Sequence, residues 1–62
     1  MMIEVRYYKK GRPGTRLFSS HRDLPFALSD AKEIRRLSNV SPDWKDTWPL
    51  IFEAGLLSTP RP

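Results

Sequence analysis

The chain contains no cysteine and a single histidine among its 62 residues. The absence of cysteine excludes disulfide bonds and any metal site that is built on thiolates. No apolar run approaches the ~20 residues that a membrane-spanning helix needs. The opening stretch MMIEVRYYKK also lacks an apolar segment of signal-peptide length. We therefore expect a soluble protein of the cytoplasm that makes no contact with membranes.

Clusters of catalytic or metal-binding residues are also missing from the sequence. His21 is the one candidate base, and Ser19 and Ser20 lie close to it in sequence. Neighbouring strand residues point in opposite directions, so this proximity does not build a nucleophile and its base. Asp43 and Asp46 have helical spacing but no third ligand nearby, which favours solvated carboxylates over a cation site. We predict that the protein is not an enzyme and has no cofactor and no metal site.

The short length limits what the chain can build. A domain of about 60 residues buries only about 60% of the surface that its unfolded chain exposes, so little volume is left for a deep substrate cavity. We predict a single domain over residues 1–57. Residues 58–62 (STPRP) are too polar and proline-rich to order by themselves, and we predict a disordered C-terminal tail there.

The stretch Asp23–Ser38 (DLPFALSDAKEIRRLS) has the strongest helical pattern in the chain. Its first residue is a favourable N-cap, and Pro25 falls in the first turn, where its missing N–H costs little. Phe26 and Leu37 lie off the predicted apolar face. Either the segment after the helix, which carries Trp44, covers them, or they are exposed and available to a partner. The face itself consists of apolar residues at helical spacing: Leu24, Ala27, Leu28, Ala31 and Ile34.

Three other segments have strand patterns. Residues 3–8 alternate, residues 9–14 (KKGRPG) predict a tight loop, and residues 15–20 predict the second strand of a β-hairpin. In that second strand we expect Phe18 to face inward and Leu17 to face outward. Residues 48–54 (WPLIFEA) predict a third strand. The inner layer of the predicted sheet is Ile3, Val5, Tyr7, Phe18, Leu50 and Phe52.

These elements predict an α+β fold with the chain order β-β-α-β. We expect a three-stranded antiparallel sheet of strand order 2-1-3, with the one main helix packed on one face. Placing the third strand beside the first leaves Pro49 on an edge, where a missing N–H is tolerated. Ser41 and Pro42 predict a short helical turn that carries Trp44 between the main helix and the third strand.

Positive charge is concentrated in the first 22 residues. This part has a net charge of +5, because six basic residues accompany one acid, whereas the remaining chain has a net charge of −1. The basic residues are Arg6, Lys9, Lys10, Arg12, Arg16 and Arg22. A sheet that offers arginine, lysine and tyrosine can contact phosphates and stack on bases. The open face of a small antiparallel sheet is ordinarily polar as well, so both interpretations stand.

A basic hairpin packed on a helix, over residues 3–37, resembles in outline the three-stranded-sheet DNA-binding modules of some plant transcription factors and some recombinase arm domains. That resemblance implies DNA binding by the hairpin. In those modules all three strands precede the helix, whereas the third strand predicted here follows it.

The sequence favours a small non-enzymatic binding protein that docks on another protein, of the inhibitor or regulator type that phages and mobile elements often encode. It has more large apolar residues than one helix face needs, and tryptophan is enriched at binding hot spots. The alternative is a nucleic-acid-binding module that uses the basic N-terminal β-hairpin. A homodimer through a sheet edge or exposed apolar residues is a further option. The predicted contact residues are Arg6, Tyr8, Lys9, Lys10, Arg12, Arg16, Leu17, Phe26 and Trp44.

Overall fold

A computed structural model describes residues 2–53 and the backbone of residues 56–57. The predicted tail, residues 58–62, lies outside the described residues. The described elements follow the predicted order. They are strands β1 (Ile3–Lys9) and β2 (Arg16–His21), helix α1 (Leu24–Val40), a short 3₁₀ helix (Pro42–Trp44), and strands β3 (Thr47–Glu53) and β4 (Leu56–Leu57).

The predicted α+β fold and strand order are confirmed. Strand β1 is central and pairs antiparallel with both β2 and β3, which gives the order 2-1-3, and α1 packs on one face of this sheet. The two-residue strand β4 extends the sheet beyond β3, where it pairs with Phe52 and Glu53. The short 3₁₀ helix also forms where Ser41 and Pro42 predicted it.

Strand β2 contains a β-bulge that decides which of its side chains face the helix. Val5 lies opposite Ser19 and Arg6 lies opposite Leu17, so Phe18 is an additional residue in the ladder. Phe18 packs against the core, as predicted, and Leu17 points to the opposite side, where 51% of its surface is exposed.

The register of β3 differs from the prediction. Ile51, rather than Leu50 or Phe52, faces the helix, because it lies directly opposite Val5 and joins the same buried cluster. Apolar residues occupy consecutive positions in this strand, so alternation alone could not distinguish its two faces. Leu50 and Phe52 therefore lie on the side of the sheet that is turned away from α1. The buried cluster consists of Ile3, Val5, Ala27, Ile34 and Ile51.

Helix α1 is rotated relative to its predicted face. Ala27 and Ile34 are fully buried, whereas Leu24 and Leu28, which were predicted to be inside, are 41% and 43% exposed. The rotation has a polar cause, because Asp30 accepts hydrogen bonds from strand β2 and so turns its own side of the helix toward the sheet. Leu37, which lies near Asp30 on the helical wheel, becomes half-buried.

The ends of α1 also differ from the prediction. Asp23 occupies the N-cap position, but its side chain makes no capping hydrogen bond. At the other end the helix continues past Ser38, where the predicted stretch ends, to Val40. The N–H of Ser41 then donates to the carbonyl oxygen of Leu37 at 2.8 Å, and the 3₁₀ helix follows directly. The longer helix brings Trp44 close to the hairpin.

Candidate functional site

The sheet offers two candidate surfaces, which have one residue, Tyr8, in common. We call the side turned away from α1 the open face, because within residues 2–53 no helix or second sheet packs over it. Pairing and alternation place the following residues on it: Glu4, Arg6, Tyr8, Leu17, Ser20, Trp48, Leu50 and Phe52. The second surface is a cleft on the helix side, at the end of the sheet nearest the β1–β2 loop.

The open face is largely apolar. Tyr8 and Trp48 lie opposite each other and stack, with ring centroids 5.5 Å apart and an interplanar angle of 28°. Leu17 flanks Arg6 on one side, and Leu50, which is 5% exposed, flanks it on the other. The prediction that Leu17 points outward is thus confirmed, and three further apolar or aromatic side chains, Tyr8, Trp48 and Phe52, accompany it.

Arg6 is the cation at the centre of the open face. Its Nε donates to Oγ1 of Thr15 at 2.9 Å, and its Nη1 lies 3.3 Å from Oε1 of Glu4. These bonds hold the guanidinium in place, and the carboxylate of Glu4 offsets its charge locally. The open face therefore carries little net charge.

Three other basic residues of the N-terminal cluster line the cleft, namely Lys9, Arg12 and Arg16. Lys9 and Arg16 lie on the helix side of the sheet, because they share the face of Tyr7, while Lys10 and Arg12 lie in the loop. The cleft has a volume of ≈ 630 Å³ and is open to solvent. Its lining combines basic and aromatic residues with one acid: Tyr7, Tyr8, Lys9, Arg12, Arg16, Asp43 and Trp44.

Trp44 closes the loop end of the core. Its ring centroid lies 5.0 Å from that of Tyr7 and 5.9 Å from that of Phe18, and the contact with Phe18 is edge-on. Phe26 has a different environment, because it stacks on His21 at 6.1 Å and remains 61% exposed. The connection that carries Trp44 thus covers the hairpin end of the core, whereas Phe26 contacts His21 instead of Trp44.

A polar cluster joins β2 to the helix. Ser19 Oγ donates to Oδ2 of Asp30 at 2.6 Å, and Nε2 of His21 lies 2.7 Å from the same oxygen. The bond from Ser19, together with that from His21, holds the pKa of Asp30 below its ordinary value. The Ser19 hydroxyl bonds to the carboxylate rather than to the imidazole, so this geometry does not pair a nucleophile with a base.

Comparison with protein-family models, with curated proteins and with solved structures finds no match to this chain. Within the part of the chain that the structure describes, no helix is long and apolar enough to cross a membrane. Over the same residues, no group of three or more histidine, aspartate or glutamate side chains is placed to hold a metal ion.

The contact residues predicted from the sequence include five of the eleven residues that line the cleft. Of the nine predicted contact residues, five line the cleft, and Arg6 and Leu17 lie on the open face. Lys10 is exposed in the loop, and Phe26 lies apart from both surfaces. Tyr7 was assigned to the core alone, and Asp43 to solvent. No local pattern indicates their role, because the cleft joins segments about 30 residues apart in sequence.

Proposed function

We propose that this protein is a non-enzymatic binding protein that docks on another protein through the open face of its sheet, and that it acts by blocking or tethering that partner. The observation that supports this most directly is the apolar character of the open face. The open side of a small antiparallel sheet is normally polar, since it meets water. Here Leu17, Trp48 and Phe52 occupy positions where polar residues are expected.

The chemistry of the open face suits a protein partner. Aromatic and arginine side chains carry much of the energy at protein interfaces, and they act best in the middle of the contact. The Tyr8–Trp48 stack presents a rigid aromatic surface, and Arg6 lies beside it, already held by Thr15 and Glu4. Little side-chain entropy is then lost on binding, which favours affinity.

The predicted nucleic-acid alternative finds little support on the open face. Arg6 is the hairpin cation that lies there, and Glu4 pairs with it. A surface without free cations does not attract phosphates strongly, since phosphate contacts dominate nucleic-acid affinity. The occupant that fits the open face is therefore a protein with a complementary apolar surface.

The test compares two leucines of similar exposure. Leu17 is on the open face and Leu28 is on the helix, and they are 51% and 43% exposed. Immobilised wild-type protein, Leu17→Gln and Leu28→Gln would each be incubated with nuclease-treated lysate of the source cell, and bound proteins quantified by mass spectrometry. We expect a partner that is enriched on the wild type and on Leu28→Gln and is reduced about tenfold or more on Leu17→Gln.

Two further measurements make this experiment decisive. Circular dichroism must show that both variants remain folded, which we expect because both side chains are exposed. Sedimentation of the purified protein shows whether a second copy occupies the open face. A partner that binds all three baits equally, or a dimer that Leu17→Gln dissociates, would contradict docking on a different protein through this face.

A further inference from the structure

We propose that the cleft at the loop end of the hairpin is a binding site for single-stranded nucleic acid. Basic side chains hold the phosphates there, and Trp44 supplies a stacking surface for an unpaired base. This site lies on the helix side of the sheet, whereas the docking surface proposed above lies on the open face, and the two have Tyr8 in common. It also places nucleic-acid binding on a different part of the hairpin from the one that the sequence predicted.

The charge of the cleft is suited to phosphate. Lys9, Arg12 and Arg16 line it, and the one acid among its lining residues is Asp43. Among the described residues neither Arg12 nor Arg16 forms a salt bridge, so both guanidinium groups are available to a ligand. Arginine binds phosphate oxygens through paired N–H groups, which gives both affinity and geometry.

Trp44 is the aromatic component of the site. It is only partly buried, and its contacts with Tyr7 and Phe18 hold the indole in one orientation. The volume of the cleft, ≈ 630 Å³, lies in the range of sites that accept ligands of drug or nucleotide size. A base that stacks on an aromatic ring gains about 1–3 kcal/mol by alanine substitution in other proteins.

The loop holds its cations in a defined geometry. The N–H of Lys10 donates to the carbonyl oxygen of Asp46 at 2.9 Å, which ties the loop to the start of β3. Gly11 and Gly14 have φ values of +83° and +77°, a conformation that L side chains rarely adopt. The turn they permit brings Arg12 back over the cleft, since the N–H of Arg12 donates to the carbonyl oxygen of Lys9 at 3.0 Å.

A single strand fits this site better than a duplex or an acidic peptide. The bases of a duplex are stacked on one another, so they cannot reach a ring inside a cleft, whereas an unpaired base can. An acidic peptide would satisfy the cations but would leave Trp44 without a stacking partner. The combination of cations and an aromatic ring in one concave surface is the arrangement that single-strand binders use.

The experiment measures fluorescence anisotropy with a labelled oligothymidine of about ten nucleotides. The comparison ligands are a duplex of the same length and a polyglutamate peptide. If three cations contact phosphates, log Kd should change with log salt with a slope of magnitude about 2, so affinity should fall roughly 20-fold between about 50 and 200 mM salt. The double variant Arg12→Gln/Arg16→Gln should lower the magnitude of this slope by about 1.4.

Arg35→Gln is the control variant. It removes one positive charge from the helix, outside the cleft, and should leave the slope unchanged.

Trp44 fluorescence tests the stacking without destabilising the core. In a Trp48→Phe background the remaining emission comes from Trp44 alone, and a stacked base should quench it as oligothymidine is added. The proposal is overturned if oligothymidine does not bind at low salt, or if it binds without quenching Trp44. Equal or tighter binding of the duplex or of polyglutamate would overturn it too, since each would indicate a general polyanion surface.

Discussion

The open face and the loop-end cleft belong to the same three strands but have opposite chemistry. The open face is apolar, and its Arg6 is neutralised by Glu4, whereas the cleft concentrates Lys9, Arg12 and Arg16. Side chains of a strand alternate between the two faces, so neighbouring residues serve different surfaces. The basic hairpin therefore does not present one surface, because Lys9, Arg12 and Arg16 line the cleft, whereas the outward apolar residues lie with Arg6 on the open face.

Removing a buried side chain from β3 should have the largest effect. Ile51 is 2% exposed and packs between the sheet and the helix, so Ile51→Ala should lower the free energy of unfolding by about 2–4 kcal/mol. Leu17→Ala, on the open face, should lower it by about 0.5 kcal/mol or less. Urea denaturation measures both. Equal effects would contradict the assignment of these residues to different faces.

The two surfaces should respond independently to substitution. Leu17→Gln should reduce protein capture about tenfold and leave the affinity for oligothymidine unchanged. Arg12→Gln/Arg16→Gln should weaken the binding of oligothymidine and leave protein capture unchanged. The same preparations, assayed by mass spectrometry and by fluorescence anisotropy, check both halves of this prediction. If either variant impairs both activities while remaining folded, the two surfaces form one interface.

The hairpin loop should be sensitive to the loss of a glycine. A Cβ atom at Gly14 would meet no other atom within 4 Å, so the cost of Gly14→Ala comes from its positive φ alone. We expect a loss of about 1 kcal/mol in the free energy of unfolding and weaker oligothymidine binding, because Arg12 and Arg16 flank this turn. Leu17→Ala provides the matched control, since it should leave oligothymidine binding intact. Unchanged stability and binding would contradict a preorganised loop.

The smallest effect should come from the polar link between β2 and α1. The pKa of Asp30 is lowered in the folded protein, so its contribution to stability is present above the unfolded pKa of about 3.9 and is lost as pH falls through the folded pKa. Asp30→Asn should therefore cost about 0.5 kcal/mol at neutral pH, and this difference from wild type should disappear at the acid end of the titration. Urea denaturation between about pH 2 and pH 7 measures it.

Glu33→Gln is the matched control for this prediction. Glu33 lies on the same helix and pairs with Arg36, so its substitution does not touch the sheet. If Asp30→Asn retained the full pH dependence of the wild type, Asp30 would not be the group that joins strand and helix.

The order of elements could be predicted from sequence because each carries a local signal. The alternating residues of β1, the glycine-rich loop and the helical periodicity of α1 are all contained within short segments. The face of β3 could not be predicted, since Leu50, Ile51 and Phe52 are consecutive apolar residues. The rotation of α1 depends on Asp30 bonding to Ser19, which lies in another element. A polar contact between two elements cannot be predicted from the spacing of apolar residues within either of them.

The candidate cleft was only partly predictable for a similar reason. Its cations stand out as a charge cluster in the first 22 residues, and Trp44 stands out by composition. Their meeting depends on the length of α1, which continues past Asn39 to Val40 and so sets the position of the 3₁₀ helix. Local sequence patterns did not determine that end of the helix.

The bulge at Phe18 determines which residues of β2 face the helix and which lie on the open face. In a regular ladder, Arg6 would lie opposite Phe18 and Tyr7 opposite Leu17, so Leu17 would turn inward and Arg16 would move to the open face. Because of the additional residue, each β2 residue between the bulge and the loop lies on the face opposite to the one that regular alternation would give it. A one-residue insertion or deletion between the bulge and the loop would therefore exchange residues between the two surfaces. The number of residues in this segment thus determines which side chains lie on each surface.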